Sequence, residues 1–167
     1  MVVLKKDLVA DNIDEGSLTL SSTHSMQVSL EAVRSGKAGL DAHRQKMLDR
    51  VPETGDWARF ERDAIELKDL AYLTASVGDE FALLRGKHED ILFHGGRANC
   101  HFQDILVDML ESHKVELIGH SHPGEPDPIP SMEDRRTLAW IGQSKSHVIS
   151  GMTGKVVDFG PDEFEPI

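Results

Sequence analysis

The stretch Gly119-His120-Ser121-His122-Pro123, continued through Gly124-Glu125-Pro126-Asp127-Pro128-Ile129-Pro130 to Ser131-Met132-Glu133-Asp134, decides how this chain is read. It is His-Ser-His-Pro, seven residues, then Ser-x-x-Asp. Val115, Leu117 and Ile118 precede it and predict a short buried strand over Val115 to Gly119. Side chains at i and i+2 of a strand point the same way, so His120 and His122 leave the strand end on one face. They are then close enough to share a metal ion. Pro123, Pro126, Pro128 and Pro130 force an extended loop that cannot become helix or central strand. Good helix formers run from Met132 to Ile141, which puts Asp134 in the first helical turn, able to swing back to the histidines. Two imidazoles and one carboxylate leave a fourth position for water, the arrangement of a catalytic zinc site. Ser131-x-x-Asp134 also fits an N-cap with an acidic residue three places on, a pattern that explains both residues without a metal. A strand-end histidine pair, a rigid proline loop and an acidic residue back at a helix start coincide here, and the conjunction favours the metal-site reading.

Outward from that stretch, a chain of 167 residues fits one domain with a real core and room for an appended segment. Formal net charge is −11, and the basic residues are dispersed apart from Lys5-Lys6 and Arg135-Arg136. Such a field repels nucleic acid and anionic membrane, so neither is expected as a partner. The single cysteine, Cys100, excludes an internal disulfide and suits a reducing compartment. It lies between Asn99 and His101 with no supporting pattern, and is expected to be a partly buried thiol, not a nucleophile. No run is long and apolar enough to span a membrane, and no apolar h-region follows Lys5-Lys6. The expectation is a cytoplasmic protein, with signal-free export or origin in a longer chain left open.

Three segments are expected: an N-terminal extension over 1–56, partly helical, a metal-binding domain over 57–160, and an acidic tail over 161–167. In the extension, Ser17 to Leu20 suggests a short strand and Val28 to Leu48 a helix interrupted by Gly36 and Gly39. Pro52, Gly55 and Asp56 break the chain. Ala64 to Leu67 is expected as a strand, and Lys68 to Ser76 as a helix ended by Gly78. Glu80 to Gly86 and His88 to His94 read as strands, and Phe102 to Ser112 as an amphipathic helix. After the proline loop and its helix, His147 to Ser150 and Lys155 to Phe159 predict a hairpin around Gly151 to Gly154. The fold class is therefore α/β, a small mixed sheet flanked by helices, with a mainly helical extension before it.

A metal-activated water needs a base to take its proton. Glu125, Asp127 and Glu133 are nearest in sequence, but the first two sit on the loop and are expected to be solvated. Glu80 opens an apolar strand just after Gly78-Asp79. It is either a carboxylate aimed at the site or merely the exposed first residue of the strand, and spacing alone leaves both open.

The pattern Glu80-x-x-x-Leu84-x-Gly86, a helix, an apolar strand, then His-Ser-His-Pro-x7-Ser-x-x-Asp resembles the JAMM (MPN+/JAB) metalloprotease family over residues 60–160. The order of elements and Ser146-His147-Val148-Ile149-Ser150 extend the likeness. The proline loop with Ser131 and Asp134-Arg135 is also similar to RadC-type members of the same fold. The resemblance implies a JAB/MPN-like, cytidine-deaminase-like architecture. It implies Zn2+ held by His120, His122 and Asp134, Glu80 as general acid/base, and Ser131 helping to stabilise the oxyanion. The expected activity is zinc-dependent hydrolysis of a peptide or isopeptide bond in a protein or peptide substrate. The His122-to-Ser131 spacing is one residue longer than in the usual deubiquitinase pattern. The spans from Glu80 to His120 and beyond Asp134 leave little room for the insertions that hold ubiquitin, so a ubiquitin-like target is left open. Two rival readings are a RadC-like nucleic-acid-associated protein, which the charge opposes, and a non-enzymatic phage or toxin-system module, which the intact ligand set opposes.

Overall fold

A computed structural model of the chain describes residues 28–161. The strand expected at Ser17 to Leu20 and nearly all of the acidic tail lie outside the described residues. The described residues form an α/β structure around one six-stranded mixed sheet, with strand order β1-β3-β2-β4-β5-β6. In chain order the elements are α1 (Leu30–Arg34), α2 (Ala42–Arg50), β1 (Trp57–Glu61), α3 (Leu67–Val77), β2 (Phe81–Gly86) and β3 (Glu89–His94). There follow α4 (Asp104–Glu111), β4 (Val115–His122), α5 (Met132–Ile141), β5 (Ser146–Ser150) and β6 (Val156–Phe159). All neighbours pair antiparallel except β4 and β5, which are parallel and joined through the proline loop and α5.

Three local expectations are corrected. The strand expected at Ala64 to Leu67 is instead at Trp57–Glu61, where alternation buries Ala58 and Phe60 and exposes Arg59 and Glu61. Ala64 and Ile65 are buried in the connection to α3. There, charged side chains take the Ile65 backbone: its N–H donates to Asp90 and its carbonyl accepts from Arg85, at 3.1 and 2.9 Å. The helix expected from Val28 to Leu48 is two short helices, with separate N-caps at Ser29 and Asp41. Its first half stops at Gly36, whose φ of +81° suits glycine. Finally, β4 runs through His122 rather than ending at Gly119, so both histidines lie within the strand.

The sheet has a core on each face. Phe60, Leu70, Leu73, Phe81, Leu83 and Ile149 pack on the side of α2 and α3, and Met47 and Val51 from the 28–56 segment join them. Ala82, Leu84, Leu106, Leu110, Leu117 and Leu138 pack on the side of α4 and α5. Each fully buried aliphatic or aromatic side chain stabilises by about 1.5–3 kcal/mol relative to exposure.

Candidate metal centre

The histidines reach the α4–α5 face because β2 and β4 pair in a particular register. Ala82 lies opposite His120, and Leu83 opposite Gly119, but Leu84 lies opposite Leu117. Ile118 is thus an extra residue in β4, a bulge that resets the alternation. Leu117, His120 and His122 all face α4 and α5 as a result. Glu80 stands two residues before Ala82 and points to the same side. Ser121 points the opposite way and is fully buried. Its hydroxyl accepts the Phe81 N–H at 2.9 Å and bonds the Thr74 hydroxyl of α3, clamping the middle of the histidine pair to the other face. Gly119 must lack a side chain, because a Cβ there would stand 3.0 Å from the His147 carbonyl oxygen and 2.5 Å from Leu67.

Asp134 arrives from α5. Ser131 caps that helix, its hydroxyl accepting the Asp134 N–H at 3.0 Å, while Asp134 Oδ2 accepts the Ser131 N–H at 2.8 Å. The capping box and the site are therefore one device: the reciprocal bonds that start α5 also hold the Asp134 carboxylate facing the histidines. His120 Nε2 lies 3.2 Å from His122 Nε2. Asp134 Oδ1 lies 3.3 Å from His120 Nε2, and Oδ2 lies 3.6 Å from His122 Nε2. Glu80 is buried, and its carboxylate joins the two imidazoles in a group whose ligand atoms all lie within 4.8 Å of one another. Such a group can hold a metal ion. Asp134 adds a carboxylate within 3.6 Å of both Nε2 atoms.

Glu125 is the residue that sequence reasoning missed. It is not simply solvated: its Oε1 lies 3.1 Å from His122 Nδ1 and accepts the Ile129 N–H at 3.0 Å. A carboxylate on Nδ1 draws the proton there and leaves the Nε2 lone pair facing inward, the tautomer a metal ligand needs. The only sequence signal was Glu125 three places after His122 in a loop stiffened by prolines.

Electrostatics follow from this crowding. Burial pushes the His122 imidazole down, but hydrogen bonds to Asp134 and Glu125 and the charge of Glu80 outweigh it, and its pKa rises to about 9. Burial pushes Asp134 up, but hydrogen bonds from His120 and His122 hold its carboxyl well below the usual carboxylate range. Glu80 goes the other way: burial raises it, against the opposing pull of the two histidines. Cys100, partly buried as expected, lies beside Glu80, Sγ to Oε1 3.8 Å. Burial first, then the charges of Glu80 and Asp134, push its thiol well above its ordinary value, which is the wrong direction for a nucleophile. Ser131 is exposed and lines the same cleft as Glu80, His122 and Asp134. All five residues expected from the sequence, Glu80, His120, His122, Ser131 and Asp134, thus gather at one end of β4.

No protein-family model, curated protein or solved structure matches this chain. No helix among the described residues is long and apolar enough to cross a membrane.

Proposed function

We propose that this chain is a zinc-dependent hydrolase of the JAMM type that cleaves a peptide or isopeptide bond. One observation carries the reading. Four ligands at about 2.0–2.1 Å around zinc are separated by tetrahedral edges of about 3.3 Å. The two Nε2 atoms and the nearer Asp134 oxygens are spaced at 3.2, 3.3 and 3.6 Å. Lone pairs held that close favour a cation between them, and two imidazoles with one carboxylate suit zinc. His120, His122 and Asp134 are then the ligands, in the JAB/MPN-like arrangement that the sequence pattern resembles. When bound, zinc supplies a Lewis acid that polarises a carbonyl and acidifies a water.

The remaining chemistry belongs to the chain. Glu80 stands beside the ligands with its proton affinity raised by burial, which suits a group that takes a proton from water and returns it to a leaving amine. Ser131 accepts a helix N–H at its oxygen, so its hydroxyl proton is available to a carbonyl oxygen gaining charge. Glu125 keeps His122 in the ligating tautomer and His120 packs edge-on to Phe159, fixing both rings.

A ligand and a base fail differently. Glu80→Gln keeps shape and all three ligands. Zinc content should stay near one per chain while turnover falls by roughly 10²–10⁴-fold. Peptide cleavage and elemental analysis on the same preparation check this. Wild-type turnover in that variant removes Glu80 as the base, and loss of zinc makes it a ligand.

A further inference from the structure

The loop between β4 and α5 has few means of holding itself in place. Pro123, Pro126, Pro128 and Pro130 remove four of its N–H donors, so neither a helix nor a ladder can fix it. Yet this loop carries Glu125, whose 3.1 Å contact with His122 Nδ1 depends on where the Glu125 backbone stands. The Glu125 side chain is 45% exposed, so packing does not confine it. Its bond from the Ile129 N–H lies within the loop and moves with it. The position of Glu125 must be set from outside.

The turn between β5 and β6 does this. Ser150 is fully buried, and its hydroxyl is used to capacity. Its oxygen accepts the N–H groups of Met152 and Thr153 at 2.9 and 3.1 Å. Both lone pairs are thereby taken, and the proton is left for the Glu125 carbonyl, to which it donates. Thr153 repeats the pattern one residue further along the loop. Its hydroxyl accepts the Lys155 N–H at 3.2 Å and donates to the Pro126 carbonyl at 2.7 Å. The Gly151 N–H donates to the His122 carbonyl at 2.9 Å. A Cβ on Gly151 would lie 2.6 Å from Thr74 Cγ2, so the turn is wedged between α3 and the loop. Lys155 also pairs with Asp127 at 2.7 Å, but both side chains are more than half exposed, and such a pair contributes little. The hydroxyls are the stronger ties.

We propose that this turn is an outer support of the metal centre: Ser150 and Thr153 are positioning residues that hold Glu125 against His122 Nδ1 and so set how tightly the centre holds its metal. The inference rests on the zinc reading for the identity of the ion. It goes beyond that reading by assigning part of the metal affinity to a turn that contains none of the ligands. A carboxylate on the outer ring nitrogen orients a ligating histidine, and losing such a partner costs roughly 10–100-fold in metal affinity. Losing the residue that places the carboxylate should cost about tenfold, the lower end of that range.

The experiment compares full-length wild type with Ser150→Ala, Thr153→Val, Glu125→Ala and the double variant Ser150→Ala, Glu125→Ala. Zinc affinity is measured by competition with a chromophoric chelator. In the zinc-free protein, NMR follows exchange of the His122 Nδ1–H proton, assigned by its absence from His122→Gln. Ser150→Ala should bind zinc about tenfold more weakly and exchange that proton faster. The double variant should bind no more weakly than Glu125→Ala alone, because Ser150 acts through Glu125. Thr153 is exposed, so Thr153→Val probes the same support without opening the core, and it should move both readouts in the same direction. Unchanged affinity and exchange in folded Ser150→Ala, or in Thr153→Val where Ser150→Ala does not fold, overturns the proposal. Losses that add in the double variant overturn it as well. The zinc reading fails separately: wild type that takes up no zinc removes it, while proton exchange still decides whether the turn places Glu125.

Discussion

His122 has a carboxylate at each ring nitrogen, Glu125 at Nδ1 and Asp134 near Nε2. In the metal-free protein that pairing holds a proton, and a metal must displace it. The imidazole rises from 6.5 unfolded to about 9 folded. The stability it contributes is fully present below pH 6.5 and is lost as pH rises toward 9. Asp134 is depressed, so its contribution is present above pH 3.8 and is lost as pH falls through its folded value. Thermal melts in the presence of a chelator should therefore show Tm falling between pH 6.5 and 9, while zinc affinity rises over the same window. A flat Tm and a flat affinity across that window would mean that His122 does not hold the exchanged proton. Much of this site is legible in the sequence, because strand alternation and the proline loop are local rules. His-x-His on one face and Asp134 at a helix start need no knowledge of the sheet. Glu125 was not legible, because its bond to His122 depends on how the loop folds back. The place of Glu80 depends on register between strands distant in the chain.

β4 does more than its apolar pattern announces. The extra residue at Ile118 turns the histidine pair toward α4 and α5 while Leu117 still packs in the same core. Nothing in Val115-Glu116-Leu117-Ile118-Gly119 signals a bulge, because a bulge is a property of the pairing with β2. Ser121 was equally silent: its partners, Thr74 and Phe81, lie far away in the chain and on the opposite face. Ser121→Ala leaves the buried Phe81 N–H without an acceptor and should cost about 1–3 kcal/mol of unfolding free energy. Chemical denaturation measures it, and a change below a few tenths would show that the clamp contributes little. Other elements were readable where their patterns are strong. Met132–Ile141 and Glu89–His94 lie close to their expected bounds, since a capped start marks the one and a continuous apolar run ahead of Gly95-Gly96 marks the other. The misplaced strand at Ala64 to Leu67 shows the limit. An apolar run can be buried as a connection when Asp90 and Arg85 satisfy its backbone.

At the scale of the whole molecule, the segment before β1 is tied to the sheet by more than proximity. Met47 and Val51 sit in the core beside Phe60 and Leu70, and Val33 is also buried. Arg44 bonds Asp41 and Asp69 at 2.9 and 2.8 Å and lies over the Tyr72 ring, pinning α2 to α3. Burial of those three apolar side chains contributes about 5–9 kcal/mol, comparable with the total stability of many domains. A chain starting at Trp57 should thus lose its cooperative thermal transition or become insoluble. A sharp melt near the full-length Tm would make the segment dispensable. On the proposed reading, the end of β4 and the start of α5 jointly hold one zinc. Its most direct test is elemental analysis of the full chain beside Asp134→Ala, both equilibrated with excess zinc and then desalted. About one zinc per wild-type chain and a large loss in the variant are expected. Wild-type protein that takes up no zinc, or a variant that retains it fully, would contradict that reading.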